Sequence, residues 1–567
     1  MRKHLPSLLT VILASSLPPL CYCSNETCPT WLYRSEEGWC TCGSHLVNVI
    51  TCNNETGEVG ILSSFCLTSF DSSRDPTEAV VGSCLYGQNH GTATEGGAGL
   101  YVRVAPNITE QDEQLCGYLN REGRLCGACK SEHYVSAYSY DLKCYRCSTG
   151  LVGNIFAYLL AALLPPTLFL AAVVLFHISF TSPRYNLVIL LCQTYSLPVS
   201  LRVLRQYTRG TTVMIFFDFI ATLYGVWNLD FFRAIVPPIC LPLNTLQVIA
   251  LDYLSAAYPL LLLVFFYVLV TAHDKGYRPV VRLLKPCLWC AARTRRQWHI
   301  RSSIIDAFAT FILLSYMKFM YTSVDLLVFE HIVDIHGSRV GLFLYYDSTV
   351  ELFGPSHRPL AIIAVTVIGI GLLFPLFLVL YPMKRFQRLL NRFHLNSPGV
   401  RTFMECFQGN YRDRTDGGWE CRYFSAVYPL LRLIGSGWYA VCHDDIVFPT
   451  FALFLIAVIA GIVTLRPYKK QYDIYNNVEI LLWLSAIGFI AGFMTYALSF
   501  DRYNTAPVAG IVISGIFILT PLAYFIVLLC VWIKESPLKL GVCTDKSDYE
   551  DLSFSGHPLD SSSSVNL

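Results

Sequence analysis

From residue 151 onward the chain alternates long apolar runs with short polar segments. Eight runs are clear, at 151–178, 243–272, 304–327, 359–382, 425–443, 446–465, 477–499 and 506–533. Each is about twenty residues long or more and mostly apolar, enough for a helix to cross a hydrocarbon core about 30 Å thick. A helix also satisfies its own backbone polar groups, which lipid cannot do. Two weaker candidates, 185–204 and 212–235, lie between the first and second runs. Before residue 150 the pattern is different: long apolar runs are few and cysteines are dense.

The polar segments between the runs set the expected topology. Residues 273–303 carry Lys275, Arg278, Arg282, Lys285, Arg293, Arg295, Arg296 and Arg301. Residues 383–424 carry Lys384, Arg385, Arg388, Arg392, Arg401, Arg412, Arg414 and Arg422, and "RPYKKQY" follows at 466–472. The positive-inside bias puts all three on the cytosolic side. That holds only if 185–235 contributes one net crossing, which gives nine spans with the N-terminus outside and the C-terminus inside. Arg202, Arg205 and Arg209 favour 212–235 as the crossing segment, whereas Asp218 and Asp230 favour 185–204, so the choice stays open. The expected fold class is an all-α polytopic membrane bundle with a small disulfide-rich ectodomain.

The N-terminus agrees with export. "MRKHLPSLLTVILASSLPPLCYCS" has a basic start, a short apolar stretch and small residues near Ser16 and Cys23, the signal-peptide pattern over residues 1–23. Residues 24–150 then form the expected ectodomain, with eleven of the chain's 22 cysteines: Cys28, Cys40, Cys42, Cys52, Cys66, Cys84, Cys116, Cys126, Cys129, Cys144 and Cys147. Acceptors for N-glycosylation occur there at Asn25, Asn54 and Asn107. The two Cys-x-x-Cys pairs in "RLCGACKSEHYVSAYSYDLKCYRCSTG" could by spacing alone hold zinc, act in redox chemistry or form disulfides. Outside the cell such pairs oxidise, so disulfides are expected, with connectivity unreadable from spacing. Eleven cysteines cannot all pair among themselves, and Cys240 in "VPPICLPLN" is a candidate partner for the odd one. In the large outer loop 328–358, "VGLFLYYDSTVELF" reads as two short strands around Asp347–Ser348.

Composition narrows the function classes. Apolar residues make up 54% of the chain and charged ones only 14%, with a formal net charge of +2, so no nucleic-acid partner is expected. No Walker loop, nucleophile elbow or zinc-protease helix occurs, and no enzyme or cofactor is expected. Ionisable groups kept at membrane depth are the better pointers to function. These are Asp252, Asp306, Lys318 and Arg432, with Asp325 and Glu479 nearer the helix ends. Lys318 lies twelve residues from Asp306, too far to pair within one helix, so partners must come from other spans or water. They can line an ion or substrate path, or serve as structural interhelical ion pairs.

Cytosolic motifs are short. Cys287 and Cys290 in "KPCLWCAAR" lack a second ligand pair for zinc and suit S-palmitoylation or simple packing at the interface. The tail, 534–567, is Ser-rich and acidic and reads as disordered. Tyr549 to Leu552, "YEDL", fits a tyrosine-based sorting signal for an adaptor, and the terminal "SVNL" fits a PDZ-type partner.

"CPTWLYRSEEGWCTCGSHL", the Cys-x-x-Cys stretch, "WNLDFF", "LLSYMKF", "YYDSTVELF" and "RPYKKQYDIYNNVEI" together resemble a group of uncharacterised invertebrate multipass membrane proteins with a Cys-rich ectodomain. More distantly, the plan is similar to fungal TRP-like membrane proteins of the flavin-carrier type. The second resemblance implies a channel-like bundle. The leading expectation is a plasma-membrane TRP-like channel or transport protein; the alternative is a receptor or adhesion protein that binds an extracellular ligand through residues 24–150.

Overall fold

The computed structural model describes most of residues 120–535 and seven short strands between residues 33 and 103; the larger stretches outside the described residues are 137–143, 201–218, 232–238 and 283–299. The fold is mostly helical. In chain order the helices are α1 (Leu151–Leu175), α2 (Pro183–Ser200), α3 (Thr245–Asp274), α4 (Ile300–Asp325), α5 (Arg358–Leu380), α6 (Lys384–Arg392), α7 (Pro398–Gln408), α8 (Val427–Val441), α9 (Val447–Leu465), α10 (Ile474–Tyr503) and α11 (Val508–Glu535). Among the described residues five helices, α1, α3, α4, α5 and α10, are long and apolar enough to cross a membrane. Shorter apolar stretches, Leu455–Leu465 and Gly515–Leu528, lie in α9 and α11. The chain is therefore membrane-embedded.

The five are not equivalent. In α4, 72% of the most apolar window is buried inside the protein, against 22% in α3 and α5. Lipid needs no polar side chains, so a span carrying Thr310, Ser315, Lys318, Thr322 and Ser323 belongs in the centre, and all five are buried. Its neighbours show apolar side chains outward instead, as with Ile362, Ile370 and Leu373 on α5. α2 is also central: Leu187 to Gln193 are buried on every face, the signature of an internal helix. The described part of the second candidate, up to Phe231, does not continue as a helix. It breaks at the 3-10 turn Val226–Asn228, and Leu229 adopts a left-handed backbone, which turns the chain back so that Asp230 enters the bundle.

Helices approach closely where glycine allows it. A Cβ on Gly488 of α10 would lie 2.5 Å from the Phe517 ring of α11, and one on Gly371 of α5 would lie 2.4 Å from Met320 of α4. Gly488, the first residue of "GFIAG" at 488–492, thus marks the α10–α11 crossing.

Strands gather at one end. β1 (Phe65–Ser69) and β2 (Ala79–Ser83) pair with β5 (Phe329–Asp334) and β6 (Arg339–Leu344) in a four-stranded antiparallel sheet ordered β6-β5-β2-β1. The contact across the two halves is Val333↔Val81 and Asp334↔Val80. The pairing expected around Asp347–Ser348 is present in short form: its first strand is β6, and Leu344 N donates to Val350 O and Leu352 N to Leu342 O across the turn. The second arm is reduced to a single bridge, Phe343↔Glu351, and β6 makes its longer pairing with β5, which lies before it in the chain. Nearby, β3 (His133–Val135) pairs with β4 (Cys144–Arg146).

Candidate functional site: a buried polar column

α3 opens with a capping box: Asn244 Oδ1 accepts from Gln247 N at 2.8 Å, and Gln247 Oε1 accepts from Asn244 N at 3.1 Å. That fixed start sets Asp252 two turns into the bundle. There Lys318 Nζ of α4 lies 3.6 Å from Asp252 Oδ1 and donates to Asp230 Oδ1. The three side chains are 5%, 20% and 14% exposed for Lys318, Asp252 and Asp230. Tyr253, next along α3, shares a 2.7 Å hydroxyl contact with Ser323 of α4.

One turn before Lys318, the Leu314 carbonyl accepts from Gln193 Nε2 of α2 at 3.3 Å. The same Nε2 donates to the Trp227 carbonyl at 2.8 Å, three residues before Asp230. Gln193 Oε1 in turn accepts from Arg432 Nε of α8 at 2.7 Å. A single amide therefore joins α2, the 3-10 turn, α4 and α8. Arg432 is 1% exposed, and among the described residues its Nη1 and Nη2 have no hydrogen-bond partner. Leaving such donors buried and unpaired costs several kcal/mol in general, so a role beyond packing is worth testing.

The helical period carries the column onward. Tyr428, Arg432 and Ser436 follow one another at four-residue spacing on one face of α8. Ser436 Oγ donates to the Arg432 carbonyl at 2.8 Å, and the Tyr428 hydroxyl donates to Glu479 Oε1 of α10. Tyr428 also shares a 2.8 Å contact with the Tyr468 hydroxyl, and Trp483 Nε1 donates to Glu479 at 3.4 Å. Tyr411 stacks on Tyr468 with ring centroids 5.1 Å apart. Loop zippering holds the two tyrosines there: Arg412 N donates to Pro467 O and Lys469 N to Asn410 O. Burial, and next the nearby Glu479 charge, push the Tyr411 and Tyr468 hydroxyls well above the ordinary phenol range, so both remain protonated donors.

The expected residues thus separate. Asp252 and Lys318 meet; Arg432 lies on the same column through Gln193. Asp306 does not join them. It sits at the other end of α4, where Cys406 Sγ of α7 donates to its Oδ1 at 2.9 Å. Asp325 accepts from the Tyr346 hydroxyl at 2.7 Å at the sheet end. Nothing marked out Gln193, an ordinary polar residue in one of the two weaker candidate segments. Tyr468 was visible only as part of "RPYKKQY".

At the sheet end a second cluster joins residues 120–136 to the 345–352 turn. Arg121 is fully buried and donates from Nη1 to Gly127 O at 2.8 Å. A Cβ on Gly127 would lie 2.6 Å from Ser348 Oγ, so the two loops are flush. Asp347 accepts from Thr349, and burial raises its carboxyl pKa against the opposing pull of that contact and of Arg121. His357 takes a hydrogen bond at Nδ1 from Phe353 N, so its Nε2 carries the proton and donates to Leu326 O at 2.8 Å.

Cys129 and Cys144 form a disulfide with each other, and Cys126 and Cys240 each take part in a disulfide too. Ser136 bridges Cys240 strand to strand, which seats the 239–241 segment against the knot. Cys40, Cys52 and Cys66 lie on strands. Cys28, Cys42, Cys84, Cys116, Cys147, Asn25, Asn54, Asn107, Cys287, Cys290, Tyr549 and Leu552 lie outside the described residues, as do the 1–23 and 536–567 segments. Among the described residues no cluster of three or more His, Cys, Asp or Glu could hold a metal ion.

No family model matches the chain, and no curated protein or solved structure is significantly similar to it.

Proposed function

We propose that this chain is a plasma-membrane channel or transport protein of TRP-like plan, with the polar column between α2, α3, α4, α8 and α10 as its conducting or gating element. The observation that carries the reading is Arg432: a guanidinium buried at depth, tied by one hydrogen bond to Gln193, with both terminal nitrogens unpartnered among the described residues. A purely structural arginine gains its keep by satisfying its fork of donors. One left open in a bundle interior suits a group that meets a passing ion or changes partner on gating. In this reading the chain has nine spans, α1, one net crossing within 185–235, α3, α4, α5, α8, α9, α10 and α11. A glycosylated, disulfide-rich ectodomain at 24–150 lies outside, and a tail at 534–567 inside offers "YEDL" to a sorting adaptor and "SVNL" to a PDZ-type partner.

Whole-cell recording tests it, using full-length wild type, Lys318→Ala and Arg432→Ala at matched surface expression. Both variants are expected to abolish or reshape the wild-type current. Absence of current under voltage, stretch and candidate ligands would sink the reading.

The four-stranded sheet favours a second reading, a receptor or adhesion protein. β2 hydrogen-bonds to β5, so a ligand on the cysteine-rich segment would act on the hairpin that follows α4. Because β2 lacks that partner in an isolated fragment, ligand binding should be measured on the full chain.

A further inference from the structure

α6 is a short helix that begins four residues after α5 ends. Its sequence, "KRFQRLLNR", places Lys384, Arg385, Arg388 and Arg392 on one side and Phe386, Leu389 and Leu390 on the other. Part of the apolar side is anchored. Leu390 is buried, and the Phe386 ring lies 5.7 Å from Phe377 of α5. Beyond the helix, Tyr381 donates to Asn396 Oδ1 at 3.2 Å and Asn396 Nδ2 donates to Asn391 at 2.8 Å, which holds the returning chain at the foot of α5. The helix is therefore fixed in place at the end of a membrane span.

What it displays there is unusual for a protein surface. Met383, Leu389, Phe393 and Leu395 are exposed at about half or more of their area, directly beside the four cations. None of the four makes an ion pair among the described residues, and no Asp or Glu occurs between 381 and 404. The apolar face of α5, which carries Leu372, Leu373 and Leu376, is also exposed and runs into this patch. Apolar side chains at the end of a span have lipid beside them. Cations beside those side chains lie at headgroup level, where acidic lipids supply the missing opposite charge.

We propose that α6 binds anionic phospholipid headgroups, with Lys384, Arg385, Arg388 and Arg392 over the phosphate layer and Leu389 and Phe393 inserted at the acyl boundary. The surface is independent of the channel reading, because it needs only that α5 spans the bilayer.

The test is a lipid titration on purified full-length protein by native mass spectrometry, with phosphatidylserine and phosphatidylcholine as probes. Phosphatidylserine should bind in preference, and Arg385→Gln/Arg388→Gln should raise its half-saturating concentration by roughly fivefold per cation removed, about 25-fold together. Arg385→Lys/Arg388→Lys should bind as wild type does, since a headgroup layer needs charge more than a fixed fork. Leu389→Ser/Phe393→Ser should also weaken binding. Equal binding of the two lipids, or an unchanged Arg385→Gln/Arg388→Gln titration, would overturn the proposal. So would displacement of the lipid by soluble glycerophosphoserine at comparable concentration, which would point to a free anion.

Discussion

Removing the Lys318 ammonium takes away the cation that lies between Asp230 and Asp252 inside the bundle. Lys318 is 5% exposed, contacts Asp230 directly and lies 3.6 Å from Asp252. Breaking a buried ion pair from one side costs about 3–5 kcal/mol, because the remaining charge keeps its desolvation penalty. Lys318→Met should therefore lose about 3–5 kcal/mol. At roughly 2 °C per kcal/mol for a long chain, Tm falls on the order of 6–10 °C. Asp252 is the more exposed and more distant partner, so Asp252→Asn should cost about 1 kcal/mol, and Asp230→Asn more than that. The informative variant is the triple, Lys318→Met/Asp230→Asn/Asp252→Asn. Neutralising the whole cluster removes the penalty along with the attraction, and stability should return to within about 1–2 kcal/mol of wild type. The assay is thermal unfolding in detergent followed by tryptophan fluorescence, with monodispersity checked by size exclusion. A drop below about 2 °C for Lys318→Met, or a triple variant no better than the single, would refute the assignment.

Two further outcomes test other parts of the structure. Asp347 holds its proton to higher pH in the folded chain than in the unfolded one, because burial raises its carboxyl pKa. The folded state therefore binds more protons in the window between the ordinary carboxylate value and the raised one, and stability there falls as pH rises. Protection factors of 120–136 and 345–352, each exchange rate taken relative to the intrinsic rate at that pH, should be higher at pH 4 than at pH 7 in wild type, and the difference should shrink in Asp347→Asn; an unchanged difference in the variant would remove Asp347 as the cause. At the α10–α11 crossing, Gly488→Ala should cost about 1–3 kcal/mol by pushing on Phe517, and Gly488→Ala/Phe517→Leu should recover most of it. No recovery in the double variant would place the strain elsewhere.

The long helices were readable because a bilayer-length apolar run leaves few choices: 243–272 became Thr245–Asp274, and 359–382 became Arg358–Leu380. The polar column was half readable. A lysine at depth announces that it has partners, but Asp230 is 88 positions away, beyond a stretch whose helical pattern breaks at a left-handed residue. Gln193 was invisible for a different reason. Its importance comes from four segments converging on one amide, which no local pattern encodes. Strand β5 was missed for a third reason. "FEHIVD" carries Glu330, His331 and Asp334, which weaken its strand signal, and its pairing with β2 is set by tertiary contact.

That sheet also sets an order of events during synthesis. Val81 cannot meet Val333 until about 250 further residues have left the ribosome, which at typical elongation rates takes on the order of 10–50 s. In the proposed topology β2 waits through that interval in the endoplasmic reticulum lumen with one edge unpaired. Sugar addition and cysteine oxidation upstream have time to finish first. The segment then closes only on a chain whose α4 has already been inserted, so surface display of a correctly closed sheet would report that the membrane half was built.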